Sequence, residues 1–92
     1  VPLYQWSILE PCLKEAFTNI IRHTRAEKVV VTLDITPYLV RLCVENDGVV
    51  ERTAFTEGLG LRNLRQRAKA VGGNISTDTR DGFRLICVLP LA

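Results

Sequence analysis

The stretch that decides the fold is KVVVTLDITPYLVRLCVEN, residues 28–46. Its first part, Lys28–Thr36, is rich in β-branched residues, and apolar side chains recur at every second position, which is the period of a strand. The segment Thr36–Tyr38 has the composition of a short turn, and Leu39–Glu45 is a second apolar run. The stretch therefore predicts an antiparallel hairpin.

The segment before the hairpin, roughly Tyr4 to Arg25, predicts a helix because its apolar residues recur at intervals of three and four. Pro11 lies inside this segment, so we expect a turn or a kink there and a regular helix that begins near Glu10. The residues expected on its buried face are Leu9, Leu13, Ala16, Phe17 and Ile20.

The chain after the hairpin predicts a turn, an irregular linker, a second helix and two further strands. These are Asn46–Gly48, Val49–Gly58, Leu59–Val71, Asn74–Thr79 and Arg84–Leu89. Gly72 and Gly73 supply the end of the second helix. Helices covering one face of a mostly antiparallel sheet make an α+β fold, a two-layer α/β sandwich.

The composition is that of one globular domain, residues 1–92. A net charge of +2 is too small to favour nucleic acid, and no apolar run is long enough to span a membrane. The three cysteines lie in apolar segments and are odd in number, which favours reduced, buried thiols in the cytoplasm. Because Val1-Pro2 is not a natural start, we expect a fragment of a longer protein whose missing sequence has room for a membrane anchor.

The polar residues of the first helix share one stripe. At about 100° per residue, Asn19 lies about 40° and His23 about 80° from Glu15, and Arg22 about 20° to its other side. A carboxylate so placed can orient or deprotonate a nucleophile, and an amide oxygen suits Mg²⁺, which keeps waters and phosphates as its other ligands. The same spacing is typical of a solvated helix surface, so the stripe alone leaves both interpretations open.

Two later features are also open to a structural and a ligand-binding interpretation. Asn46-Asp47-Gly48 is either a turn or a polar strand end that accepts a hydrogen bond from the amino group of a base. Gly58-Leu59-Gly60-Leu61 is either a flexible helix entry or a segment whose backbone N–H groups bind phosphate.

Together and in this order, the three features resemble the nucleotide site of the gyrase, heat-shock and histidine-kinase ATPase superfamily. Glu15–His23 resembles its N box, and Asn46–Gly48 a reduced first glycine box. Gly58–Arg67 resembles the second glycine box of sensor kinases that pair with NarL-type regulators. The resemblance covers about residues 9–91, includes a closing hairpin after Asp81-Gly82-Phe83, and is nearest to the DesK-like kinases with a short lid, here Val49–Glu57.

This resemblance implies a histidine kinase catalytic domain that binds MgATP and supplies the γ-phosphoryl group to a histidine on a separate dimerisation domain. Glu15 would orient the attacking group or a water, and Asn19 would ligate Mg²⁺. The residues that the resemblance places at the nucleotide are Asn19, Arg22, His23, Asn46, Asp47, Gly48, Gly58, Leu59, Gly60 and Leu61. Whether Asn46 or Asp47 contacts adenine stays open.

The partners implied are the dimerisation and phosphoacceptor domain of the same kinase and a NarL-type response regulator, and no nucleic acid. The parent protein is expected to be a homodimer and the fragment a monomer. His23 is not the phosphoacceptor, since that histidine of the family lies on the separate domain.

Three positions depart from the family pattern. Asn46 replaces an aspartate and is a weaker, neutral acceptor, Val50 replaces a glycine, and Phe83 replaces a small hydroxylic residue. These departures motivate a second hypothesis, a degenerate, non-catalytic interaction module on the same fold. A third is a serine kinase of the anti-sigma type.

Overall fold

A computed structural model gives the fold and describes residues 1–23, 28–47, 59–78 and 82–91. The elements are α1 (Leu3–His23), β1 (Val29–Ile35), β2 (Leu39–Asn46), α2 (Leu59–Ala70), β3 (Asn74–Asp78) and β4 (Arg84–Pro90). Their order and type are those predicted from the sequence. Neither helix in this described part is long and apolar enough to cross a membrane.

The four strands form one sheet in the order β1-β2-β4-β3, and every neighbouring pair is antiparallel. β2 and β4 are therefore the inner strands. Cys43 on β2 lies opposite Thr32 on one side and Ile86 on the other, so the predicted hairpin and the closing hairpin join through β2 and β4. The α+β sandwich is confirmed.

The core lies between the two helices and one face of the sheet. Its buried members are Ile8, Leu9, Cys12, Ala16, Ile20, Val40, Leu42, Val44, Leu61, Leu64, Ala68, Ile75, Phe83, Leu85, Cys87 and Leu89. The predicted face of α1 is rotated from the real one: Phe17 is 36% exposed, whereas Ile8 and Cys12 are fully buried. α2 packs on the Ile8 and Cys12 side of α1, which extends burial in that direction and leaves Phe17 at the opposite margin.

The expectation that the regular helix begins near Glu10 is wrong, because α1 continues from Leu3 through Pro11. Proline has no N–H, so Pro11 cannot bond to the carbonyl of Ser7, four residues earlier. That carbonyl accepts a hydrogen bond from the Arg67 guanidinium of α2 instead, at 2.9 Å. A partner from outside the helix thus replaces the missing one.

The three cysteines are reduced and buried, as expected from the sequence. Cys12 on α1 and Cys87 on β4 are fully buried where the helix packs on the strand, and Cys43 is 6% exposed. A hydrogen bond between the thiols of Cys12 and Cys87, together with burial, raises the pKa of Cys12. Burial also raises the pKa of Cys43.

We predict that the free energy of unfolding falls as the pH rises above about 9. Thiols of the unfolded chain ionise near their ordinary value of 9.0, whereas burial raises the pKa of Cys43 and the folded chain keeps that proton. In the Cys12 and Cys87 pair the shifts oppose each other, since their hydrogen bond raises the pKa of Cys12 and lowers the pKa of Cys87. The unfolded state then binds fewer protons, so stability is complete below that pH and is lost above it. Urea denaturation at about pH 7, 9 and 10 measures the slope. Cys43→Ala should flatten it, and an unchanged slope in this variant would contradict the assignment.

Candidate functional site

Three segments meet at one end of the sandwich: the last turns of α1, the end of β2 and the start of α2. Lys28 and Asp47 are paired there, since the Asp47 N–H donates to the Lys28 carbonyl at 3.4 Å and the Lys28 N–H to Asp47 Oδ1 at 3.2 Å. Near the start of α1, Gln5 Nε2 donates to the Pro90 carbonyl, and Pro90 lies opposite Leu39 at the start of β2. The later turns of α1 and the end of β2 therefore lie toward the same end of the sandwich.

The buried stripe of α1 becomes polar along its length. Ile8, Cys12 and Ala16 are fully buried. Glu15 and Asn19 follow on the same side of the helix and are half-buried. The carboxylate and the amide of the predicted polar stripe therefore lie beside the apolar core, which continues along α1 as far as Ile20.

Gly60 in the first turn of α2 lies directly against Glu15. A Cβ atom at residue 60 would lie 2.6 Å from Glu15 Oε1 and 3.2 Å from its carboxyl carbon. Any side chain at this position would therefore displace the carboxylate. The structure thus brings together the acidic residue of α1 and the glycine segment of α2, which are 45 residues apart (60 minus 15).

Asn46 extends the buried row of β2. Alternate residues of this strand face the helices, and Val40, Leu42 and Val44 are buried there. Asn46 is next in the row and only 8% exposed. Its side-chain Oδ1 accepts a hydrogen bond from the backbone N–H of Phe83 at 2.6 Å. Its backbone N–H donates to the Phe83 carbonyl at 3.1 Å.

Asp47 points elsewhere, since it is exposed and its carboxylate accepts from Lys28. Of the two candidates for the adenine contact, Asn46 is therefore the one that faces the helix layer, on the side where Glu15 and Asn19 lie.

Phe83, a departure from the family pattern, is a core residue with 1% exposure that also supplies the N–H holding Asn46. Gly82 before it is buried and has a φ of 100°, which favours glycine. A cavity of about 40 Å³ lies beside them, lined by Glu45, Asn46, Asp78, Gly82, Phe83 and Arg84. The sequence did not show this role of Phe83, because a backbone N–H has no residue signature.

The other residues predicted to bind the nucleotide lie in the core, at the surface or outside the described residues. Leu61 is 1% exposed and belongs to the core, so its side chain cannot serve as a ligand contact and only its backbone remains for that role. Arg22 is exposed at the end of α1. His23 and Leu59 belong to α1 and α2, but their side chains are outside the described residues. Gly48, Gly58 and the lid are also outside them.

The oxygen atoms that the candidate site offers suit a metal ion whose other ligands are phosphates and water molecules. Among the described residues, no three His, Cys, Asp or Glu side chains are grouped closely enough to hold a metal ion. Asn19 and Glu15 offer one amide and one carboxylate at the half-buried end of α1. Such a sparse set of oxygen atoms suits Mg²⁺ bound mainly by phosphates and water.

A family model described as histidine kinase-, DNA gyrase B-, and HSP90-like ATPase matches residues 6–92. The chain is 33% identical over 92 residues to the sensor histidine kinase DesK of Bacillus subtilis (strain 168), across 98% of this chain and 25% of that protein. It is 26% identical over 85 residues to the sensor histidine kinase YvfT of the same organism, across 92% and 23%. The chain thus spans about a quarter of the length of these curated relatives.

Solved structures share the fold. The histidine kinase domain from the Erythrobacter litoralis EL346 blue-light activated histidine kinase is similar with a TM-score of 0.72 and 24% identity, over 99% of this chain and 46% of that one. The Acinetobacter baumannii histidine kinase AdeS is similar with a TM-score of 0.63 and 23% identity, over 94% and 46%.

We predict that Asn46→Ala lowers the free energy of unfolding by about 1–3 kcal/mol, because the buried Phe83 N–H loses its acceptor. Chemical denaturation measures the loss. Asp47→Ala is the matched control: it removes an acceptor at the neighbouring exposed position and should cost no more than about 0.5 kcal/mol. Equal losses in the two variants would show that the Asn46 to Phe83 bond has no special weight.

Proposed function

Since the chain belongs to the histidine kinase-, DNA gyrase B-, and HSP90-like ATPase family, we propose that it binds MgATP where α1, β2 and α2 meet. The observation that carries the proposal is the approach of Gly60 to Glu15. The start of a helix offers backbone N–H groups to phosphate, and here it lies against the polar end of the α1 stripe. Phosphate, metal ligand and carboxylate would then share one small region.

Asn19 and Glu15 have different roles in this proposal. The Asn19 amide oxygen is the protein ligand to Mg²⁺, which when bound neutralises charge on the nucleotide phosphates. Glu15 orients the attacking group through its carboxylate, whose position the Gly60 backbone limits. Exposed Arg22 adds positive charge near the phosphates, and His23 is proposed to lie near them as the family resemblance implies.

Asn46 is proposed as the residue that contacts the adenine amino group. It lies on the helix-facing row of β2, and the Phe83 N–H fixes the orientation of its carboxamide. Asp47 is held toward Lys28 instead. The nucleotide would therefore lie across the end of the sandwich, with its base near β2 and its phosphates near α1 and α2.

The reaction we propose is phosphoryl transfer to a histidine of a separate dimerisation domain. A bond forms from a histidine nitrogen to the γ-phosphorus, the bond from the γ-phosphorus to the bridging oxygen breaks, and ADP leaves. The curated relatives are named sensor histidine kinases, which favours this acceptor over serine. The same proposal includes a homodimeric parent whose cytoplasmic catalytic domain is residues 1–92, an anchor of that parent in the cell membrane, and a NarL-type response regulator.

We predict saturable binding of MgATP to this chain and at least about tenfold weaker binding to Asn19→Ala, since the metal loses its protein ligand. Isothermal titration calorimetry measures both. Thr18→Ala, at the exposed neighbouring position of α1, is the matched control and should bind like the unmodified chain. Without Mg²⁺, all three proteins should bind ATP alike.

Two outcomes would count against the proposal. If the folded chain does not bind at millimolar ATP, the degenerate interaction module becomes the better hypothesis. If Asn19→Ala is equally weakened with and without Mg²⁺, the amide contacts the nucleotide rather than the metal.

We also predict that Asn46→Asp tightens ATP binding by about threefold to tenfold, because a charged acceptor forms the stronger hydrogen bond with the adenine amino group. Inosine triphosphate carries an oxygen in place of that group and should show no gain. Competition with a fluorescent nucleotide measures both affinities. Asp47→Asn should leave the preference for ATP over inosine triphosphate unchanged, and a change there would assign the base contact to Asp47.

A further inference from the structure

Two of the contacts between the helices α1 and α2 involve polar groups or glycine and are defined by named atoms. Gly60 at the start of α2 lies against Glu15, and Arg67 near its end bonds to Ser7. Arg67 is seven residues after Gly60, and Ser7 is eight residues before Glu15. At about 1.5 Å per residue these intervals are about 10.5 and 12 Å, so the two contacts match in spacing on antiparallel helices.

The Arg67 contact uses the one carbonyl of α1 to which Pro11 cannot donate. Inside a regular helix each carbonyl accepts from the N–H four residues later, and Pro11 cannot provide one for Ser7. Pro11 therefore leaves a backbone acceptor at one defined place on α1. Arg67 Nη2 donates to this carbonyl at 2.9 Å and to the Ser7 hydroxyl oxygen at 3.0 Å. The hydroxyl in turn donates to the Tyr4 carbonyl at 2.5 Å, which fixes its direction.

We infer that Arg67 is a positioning residue: by binding the carbonyl to which Pro11 supplies no N–H, it sets where α2 lies along α1 and so holds Gly60 against Glu15. Apolar packing alone allows a helix to slide, since side-chain ridges repeat along it. A guanidinium bonded to one particular carbonyl, in contrast, fixes a single position along the helix. The consequence for nucleotide affinity rests on the proposed function, whereas the consequence for Gly60 does not.

Two substitutions allow the position of Gly60 to be tested separately from the stability of the fold. Arg67→Met leaves the Ser7 carbonyl without its donor and removes the anchor. Pro11→Ala weakens the anchor, because the alanine supplies a backbone N–H that competes with Arg67 for the Ser7 carbonyl. It also removes a proline that is unfavourable inside a helix. The two variants should therefore differ in their effect on the free energy of unfolding, whereas both should displace Gly60 from Glu15.

The experiment compares Arg67→Met, Pro11→Ala and the double variant, with Lys69→Met as a control that removes the same charge from an exposed position of the same helix. Three readouts are used: the thermal midpoint, the Gly60 amide resonance in a ¹H–¹⁵N spectrum, and MgATP affinity. We expect Arg67→Met to lower the midpoint by about 4–8 °C. We expect Pro11→Ala not to lower it.

Both single variants should shift the Gly60 resonance and weaken MgATP binding by roughly three- to tenfold. In the double variant the effect on Gly60 should be no larger than in either single variant, because both remove the same anchor. Lys69→Met should resemble the unmodified chain in all readouts.

An unmoved Gly60 resonance in Arg67→Met or Pro11→Ala would overturn the inference and leave Arg67 a purely structural donor. Additive shifts in the double variant would also overturn it. If the unmodified chain binds no MgATP, the proposed function fails, and the Gly60 resonance still decides the inference.

Discussion

The pairing of β2 with β4 beneath the helices is the constraint on which the rest of the structure depends. It places one row of β2, Val40, Leu42 and Val44, in the core and fixes which side of the strand the next residue faces. Asn46 comes next in the row, so the amide must be buried and must find a partner. It finds the Phe83 N–H on the segment leading into β4. The same pairing that builds the core therefore also positions a polar group at its end.

The same relation between core and site appears on α1. Its buried stripe begins with Ile8 and Cys12 and continues as Glu15 and Asn19. On α1 the candidate site thus borders the hydrophobic core, which continues to Ile20 on the neighbouring side of the helix. This arrangement makes the geometry of the site depend on core packing, since a shift of either helix moves the polar end with the apolar part.

α2 has the most demanding position, because its first turn must approach a carboxylate while Leu61, Leu64 and Ala68 remain buried. Glycine at residue 60 permits the approach, and the guanidinium of Arg67 bonds to α1 farther along. Two features that look unfavourable in isolation, glycine and proline within helices, each serve the contact between helices. Local propensity and tertiary packing disagree at these two residues, and packing prevails.

The sequence by itself determined the elements and their order, because strand and helix periodicity and turn chemistry are local, and it supplied the polar residues proposed for the candidate site. The positions of Glu15, Asn19, Asn46 and the glycine segment followed from spacing and from resemblance to a family. The tertiary structure alone decided which face of α1 is buried, since α2 covers the side of Ile8 and Cys12 and not that of Phe17. It also decided that α1 passes through Pro11, that Leu61 belongs to the core, and that Asn46 rather than Asp47 faces the helices. Each of these depends on a partner distant in the chain, and a partner of that kind leaves no mark on the local pattern of residues.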